Sequence, residues 1–444
     1  MTETADCVVV GAGLAGLSAA HRLATAGRRV VVVEAEPTTG GRAATVWHDG
    51  LPVDRGFQSM FLAYPETRSF LDAIGIRRDE LLPLERGAVV DDGAGWRHLT
   101  ADPRALRGLE PFGAGDVLRL GRLAAEVARR SPDELLDGAE QALTAAEYLA
   151  RCGFSARSIE GFFRPLFGVI TLDRTLGCDA AYFRFLFAML TRGPAVMPVD
   201  GHGMITERAA AELVHRGGRV HTGARATRVI TSSAGRAAGV RLEDGTEILS
   251  RAVVMAVAAP AAAGLLEPID PAAAAAVPRE QAGALTLAYI LDTPLYRGRA
   301  IILNSAPADG GARVDLVCQT SNTLRPAVAG SHVLLAMTVT TGLAEAPEPE
   351  AVAAALSAQI ERWSPGFDLG RRGRLVEVVH HPHAQFRVTP GVRAGLPDQR
   401  TAVPGLVLAG DLTRHPSIEG AVSSGHAAAA IADAALNDPG VAIC

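Results

Sequence analysis

The sequence predicts an α/β fold in which a dinucleotide-binding domain built on a parallel sheet is interleaved with a second, α+β domain. Three observations carry that expectation. A strand, a glycine-rich turn, a helix and a second strand occupy the first 34 residues. Strand-like segments return near residues 219–258 and at 405–409, with helical or mixed patterns between them. The 444 residues are 48% hydrophobic and 20% charged, enough to bury two or three cores and too apolar for a disordered chain.

Each element follows from local pattern. Cys7–Val10 and Val30–Val33 are β-branched runs of the kind buried on both faces of a parallel sheet. Gly11-Ala12-Gly13-Leu14-Ala15-Gly16 opens a helix between them, and Gly27 stands where it should end. From about Arg104 to Arg192 apolar and arginine positions alternate near a 3.6 period, as in DVLRLGRLAAEVARR. RVHTGARATRVI, GVRLEDGTEILS and AVVMAVAAP return to strands, as do LTLAYILD, RVDLVCQT and SHVLLAMTVTT. Ala344–Glu350 is a polar connection before a helix at Ala351–Trp363. Gly405–Ala409 predicts a last strand, followed by an alanine-rich helix from Gly420. The interleaving divides the chain into 1–84, 196–266 and 395–444 for the cofactor domain, with 85–195 and 267–394 for the substrate domain and its helical subdomain. A ligand is expected between them, beyond the carboxyl ends of the parallel strands.

Composition excludes several chemistries. All 43 basic side chains are arginine, so Schiff-base catalysis and a P-loop are ruled out. A net charge of −5 without a basic stripe gives no footprint for nucleic acid. Five scattered cysteines without a C-x-x-C suggest a reducing compartment and no zinc site. The opening residues lack a basic n-region, and the longest apolar run, Ala252–Leu266, is about 15 residues against the roughly 20 a spanning helix needs. A cytoplasmic protein, at most peripheral to a membrane, is expected.

The glycine triplet gains meaning from its context. Gly11 suits the tight turn, Gly13 lets the backbone approach a pyrophosphate, and Gly16 allows close helix–strand packing. The helix N-terminus favours phosphate. Glu34, at the end of the second strand, can accept from both ribose hydroxyls and would repel a 2′-phosphate, which disfavours NADP. A nicotinamide dehydrogenase would continue into further βα units. This chain instead presents Gly40-Gly41-Arg42-Ala43 and Val53-Asp54-Arg55-Gly56-Phe57-Gln58, then near its other end Leu408-Ala409-Gly410-Asp411 and Ser417-Ile418-Glu419-Gly420-Ala421.

Together these stretches resemble the FAD-dependent amine oxidase and phytoene desaturase superfamily, closest to bacterial phytoene-desaturase-like members through RPLFGVITLDR and PVDGHGMITERAAAEL. The resemblance implies a Rossmann-like FAD-binding domain of the glutathione-reductase type, with FAD extended and its isoalloxazine at the domain boundary. It implies that Gly11 and Gly13, with Leu14 and Ala15, hold the pyrophosphate and Glu34 the ribose. Gly41 and Arg42 would flank the diphosphate and ribityl, with Gly56 and Phe57 in the same cofactor set. Val229 would meet the adenine through its backbone, and Gly410 and Asp411 the ribityl or diphosphate. Gly420 and Ala421, at a helix N-terminus, would stabilise negative charge at the flavin N1/C2=O edge.

The chemistry that follows is hydride abstraction from a C–H bond of a hydrophobic small molecule, such as a carotenoid or terpenoid precursor, with dioxygen or a quinone as electron acceptor. Without lysine the chain lacks the flavin-proximal amine of many amine oxidases of this fold. An amine or amino-acid oxidase releasing peroxide is the second reading, a redox-neutral flavin isomerase the third, and a non-catalytic binding protein of the same fold the fourth. Eight of the 21 aromatic residues fall between Phe154 and Phe187, where they can line an apolar tunnel or form the core of the helical subdomain. His383 and His415 are the expected catalytic-site histidines. The His380-His381-Pro382-His383 cluster lacks a carboxylate or thiol at ligand spacing, so no metal is expected. His202 is assigned no chemistry. The Asp116–Arg130 helix could rest on a membrane surface or be a solvated face.

Overall fold

Two runs of valine organise the first sheet of this protein. It is described from a computed structural model covering residues 3–437, apart from 86, 94, 101–110, 307–311, 325–329 and 341–346; for 97–100 it gives only the backbone. Strand β1 spans Glu3–Val10, helix α1 spans Leu14–Thr25, and strand β2 spans Val30–Val33. The strands pair in parallel from Cys7–Val30 to Val10–Val33, which requires the helical crossover between them. All four side chains of β2 are buried.

Beyond β2 lies Arg219–His221, also parallel. On the other side of β1 runs Glu247–Met255, a strand with two kinds of partner. Its first half pairs antiparallel with Ala237–Leu242, and its last three residues pair in parallel with Leu406–Leu408. The carboxyl ends of β1, β2, Val253–Met255 and Leu406–Leu408 therefore coincide. Their backbones are stitched there by Gly11 N–H to Val33 O, Ala256 N–H to Val10 O and Ala409 N–H to Met255 O. Loops separated by hundreds of residues thus emerge side by side.

The second sheet has seven strands in the order Gly373–Phe386, Gln281–Leu291, His332–Thr340, Leu316–Cys318, Ile302–Asn304, Gly87–Asp91 and Trp96–Thr100. Alternation assigns its faces. Leu285, Leu287, Tyr289 and Leu291 pack with Val352, Leu356 and Ile360 of the Pro349–Trp363 helix. The opposite face carries Ala282, Ala284, Thr286 and Ala288, flanked across the strands by Val339, Met337 and His381. It turns toward Gly56, where a Cβ would stand 3.7 Å from the His381 ring and 4.0 Å from Thr286 Oγ1.

Most expected elements lie where their patterns put them, and 101–110 and 341–346 fall outside the described residues. Several strands were not expected, among them Thr45–His48, Leu51–Asp54, Gly87–Asp91, Trp96–Thr100, Ala195–Pro198, Ile302–Asn304 and Gly373–Phe386. Gly373–Phe386 is a 14-residue edge strand, hidden in sequence by its charges, histidines and Pro382. Proline is admissible because the pairing with Gln281–Leu291 is irregular there: Ala282 opposes Gln385 while Ala284 opposes His381.

The aromatic cluster is packed into the main hydrophobic core. Phe163, Phe167, Tyr182, Phe183 and Phe185 are each 0% exposed. Phe167 meets Phe183 edge-on at 4.6 Å, and Phe163 meets Phe154 at 5.0 Å. These rings cover one another, so the tunnel expectation is corrected for them. The charge-bearing helix spans Ala114–Ala128, with Leu118 exposed and Arg119 paired to Asp116.

Candidate functional site

The site begins where β1 ends. Gly11 takes φ +103, and a Cβ there would stand 2.4 Å from Ala256 O; at Gly16 a Cβ would stand 1.9 Å from Gly11 O. Both positions need glycine for the fold itself. Gly13 differs: it has ordinary φ −77, and a Cβ would meet nothing within 4 Å. The amides of Leu14 and Ala15, first in α1, find no acceptor among the described residues. Buried Glu34 accepts from Ala12 N–H at 2.7 Å and Glu36 N–H at 3.0 Å, one on each carboxylate oxygen, which leaves lone pairs on both.

The second glycine pair joins this groove. Gly40 N–H donates to Ala12 O at 2.9 Å, and a Cβ on Gly41 would stand 3.8 Å from Gly13 Cα. Open space at Gly13, unpartnered helix amides and an acidic side chain at the end of β2 fit the phosphates and ribose of an extended dinucleotide such as FAD.

Arg42 and Asp411 were each expected to face the cofactor. The structure brings them together. Arg42 Nη1 donates to Asp411 Oδ2 at 2.7 Å and to Ala384 O at 2.8 Å. The Asp411 carboxylate raises the guanidinium pKa further above its ordinary value. Gly410 N–H is anchored on Ser424 Oγ at 2.8 Å, and Asp411 Oδ1 accepts from the Leu412 amide at 3.1 Å. The pair thus locks the GGR loop to the final strand and to the edge of the second sheet.

The last helix, Ile418–Leu436, corrects one expectation. Ser417 caps it by accepting Gly420 N–H at 2.9 Å, while Ala421 N–H donates to Ser417 O at 3.0 Å. The amides of Gly420 and Ala421 are therefore occupied. Those of Ile418 and Glu419 have no acceptor among the described residues, so the positive end of the helix opens through them. Gly420 is needed for another reason: a Cβ would stand 2.0 Å from His415 O. Glu419 accepts from Glu66 N–H at 3.0 Å, Thr67 N–H at 2.9 Å and Thr67 Oγ1 at 2.7 Å, and burial raises its pKa.

The histidines sort by register. His415 is buried behind the Ser417 cap, its Nδ1 3.0 Å from Ser417 Oγ and its ring 4.7 Å from Phe185. Burial, then Arg393 and Arg414, depress its pKa to about 3. Its place suits holding the helix terminus rather than touching a reactant. His383 lies on the edge strand with Nδ1 buried and without a partner among the described residues. His380 points to the opposite face, 3.5 Å from Thr340 Oγ1.

Sequence reasoning missed His381. It lies across from Ala284 on the face turned to Gly56, with Nε2 buried and unpartnered among the described residues. Burial, then Arg55, pushes its pKa down to about 4, with Arg42 adding to the effect. Recognising HHPH as part of a strand would have separated His381 from His380 by period two.

Val229 is buried in the hairpin opposite Val240; the stretch bonded to the end of β2 is His221, Gly223 and Ala224, several residues earlier. The Val229 side chain serves the hairpin core, and the backbone beside Glu34 is that of Ala224. His202 is structural: its Nδ1 lies 2.9 Å from Asp54 Oδ2, and Asp54 Oδ1 accepts His202 N–H at 2.9 Å. Phe57 packs between two core clusters beside Gly56.

The family described as flavin containing amine oxidoreductase matches residues 14–432. Protoporphyrinogen oxidase 2 of Arabidopsis thaliana is 41% identical over 78 residues, covering 18% of this chain and 15% of that protein. Phytoene dehydrogenase of Streptomyces griseus is 46% identical over 80 residues, again 18% and 15%. The alignments thus span about one-seventh of each relative. An oxidoreductase from Methanosarcina mazei shares the fold at a TM-score of 0.68 with 20% identity, over 96% of this chain and 99% of that one.

Proposed function

The chain belongs to the flavin containing amine oxidoreductase family, and from that premise we propose that it is an FAD-dependent oxidoreductase abstracting hydride from a C–H bond of an uncharged, largely hydrophobic small molecule. Desaturation or dehydrogenation of a carotenoid- or terpenoid-like compound is the form this takes. The two-domain division given above is part of the same reading. Bound FAD supplies the two-electron acceptor.

The chain's own residues divide the remaining work. Leu14 and Ala15 amides receive the phosphates, Glu34 the ribose, and the Ile418 and Glu419 amides offer partial positive charge to an electron-rich edge. The Arg42–Asp411 pair holds the loops in register. The sheet face beneath Gly56 then orients the reacting carbon and excludes water.

The observation that carries the choice of substrate is that face. Ala282, Ala284, Ala288, Met337 and Val339 are apolar, and Arg42 and Arg55 stand close enough to disfavour positive charge on His381. An ammonium group there would meet the same repulsion from Arg55, whereas the charge of Arg42 is balanced by Asp411. Dioxygen or a quinone would reoxidise the enzyme. Among the described residues no helix is long and apolar enough to cross a membrane; a cytoplasmic location, with the Ala114–Ala128 helix touching a membrane through exposed Leu118, completes the proposal.

The test is anaerobic bleaching of the purified yellow protein. Apolar polyenes should bleach it, and amines should not. Bleaching by amines alone, with peroxide released in air, would establish the amine oxidase reading instead.

A further inference from the structure

The sheet face beneath Gly56 contains two polar atoms close to that glycine that the described residues do not satisfy, with His383 Nδ1 and Gln385 Oε1 also unpartnered farther along the edge strand. Thr286 is 1% exposed and its Oγ1 has no partner among the described residues; the same is true of buried His381 Nε2. Seen from the point where a Cβ on residue 56 would stand, Nε2 lies 3.9 Å away and Oγ1 4.0 Å away. The two residues are diagonal neighbours across adjacent strands, since Thr286 opposes Val379 and His381 opposes Ala284. Around them Ala282, Ala284, Ala288, Met337 and Val339 offer no hydrogen-bonding side chain.

We propose that Thr286 and His381 form a two-point seat for a hydroxyl group on the otherwise apolar substrate, a specificity determinant that rests on the function proposed above. Buried polar groups in folded proteins are almost always hydrogen-bonded, and two orphans that lie 3.9 Å and 4.0 Å from one point call for a common partner. The imidazole is neutral, because burial and the flanking arginines oppose its protonation. A neutral ring nitrogen accepts or donates according to its tautomer, and the threonine hydroxyl can take the converse role. An alcohol O–H complements either arrangement, because it donates to one of the two groups and accepts from the other. A hydrocarbon satisfies neither group, an ether can only accept, and an ammonium meets Arg55.

Isothermal calorimetry on the holoenzyme tests this directly, using isoprenoid alcohols from geraniol to geranylgeraniol, their methyl ethers, and geranylamine. At least one alcohol should bind about tenfold more tightly than its ether. Thr286→Val and His381→Phe should each reduce that ratio to about twofold or less, while Thr286→Ser retains it with the same flavin spectrum. Geranylamine should bind more weakly than geraniol near neutral pH. Absence of any alcohol preference across the series overturns the seat, as does a preference that survives both variants. A preference abolished by both variants in a protein that no polyene bleaches supports the seat and overturns desaturation, so the two readings fail separately.

Discussion

Arg42 and Asp411, 369 positions apart in sequence, meet at 2.7 Å and close the ring of loops around the candidate cofactor groove. Arg42 reaches on to Ala384 O, so one guanidinium ties together the first glycine-rich region, the final strand of the first sheet and the edge strand of the second. Replacing Asp411 by asparagine should cost about 1 kcal/mol or less of stability, since the arginine is partly exposed. FAD retention should fall much further, because two loops lose their shared anchor. Flavin absorbance per protein after gel filtration, beside a thermal melt, measures both; undiminished FAD content would contradict the anchor role.

Two glycines of the same motif should fail in different ways. Gly16→Ala places a methyl 1.9 Å from Gly11 O and should prevent folding or lower Tm severely. Gly13→Ala meets no protein atom, so the apoprotein should melt as the wild type does while losing FAD. Equal damage to the fold from both changes would show that the space at Gly13 is not reserved for a ligand.

Acid should destabilise the protein through its buried neutral imidazoles. His381 and His415 are depressed from 6.5 to about 4 and about 3. Below pH 6.5 the unfolded chain binds protons that the folded chain refuses. Their stability contribution is therefore full above pH 6.5 and is lost as pH falls toward 4 and then 3, at up to about 2.7 kcal/mol per pH unit for two groups. Urea unfolding at pH 7, 6 and 5 checks this, and His381→Phe should flatten the slope by about one proton. An unchanged slope in that variant would contradict the depressed pKa of His381.

Phe163→Ala should cost about 3–5 kcal/mol, because the ring is fully buried against Phe154, Phe162, Phe167 and Phe183. FAD content and fold should decline together. A variant that keeps its Tm and its flavin but loses turnover would place Phe163 on a substrate tunnel instead.

The parts of the site that were legible in sequence are those whose geometry is local. A glycine needed for a turn, a helix start that presents amides, and an acidic residue ending the next strand are all specified within about 35 neighbouring residues, which is why Gly11, Gly13, Gly16 and Glu34 lie where the motif puts them. Roles that depend on partners were less legible. Gly420 and Ala421 were read as the positive end of a helix, but the motif does not show that Ser417 turns its hydroxyl inward as a cap, which leaves the Ile418 and Glu419 amides without an acceptor among the described residues. The hairpin register that buries the Val229 side chain opposite Val240 is likewise long-range.

By itself, then, the sequence determined the βαβ nucleotide fold, the grooves' glycines and the recurrence of strand, loop and helix at residues 406–436, since each is written in contiguous backbone preferences. Only the tertiary structure decided that Arg42 answers Asp411, that the aromatic run is packed on itself, and that His381 rather than its neighbour faces Gly56. The reason is physical. A side chain's partner, and the face of the sheet it occupies, depend on pairing register between distant strands, and a shift of one residue would exchange His380 for His381.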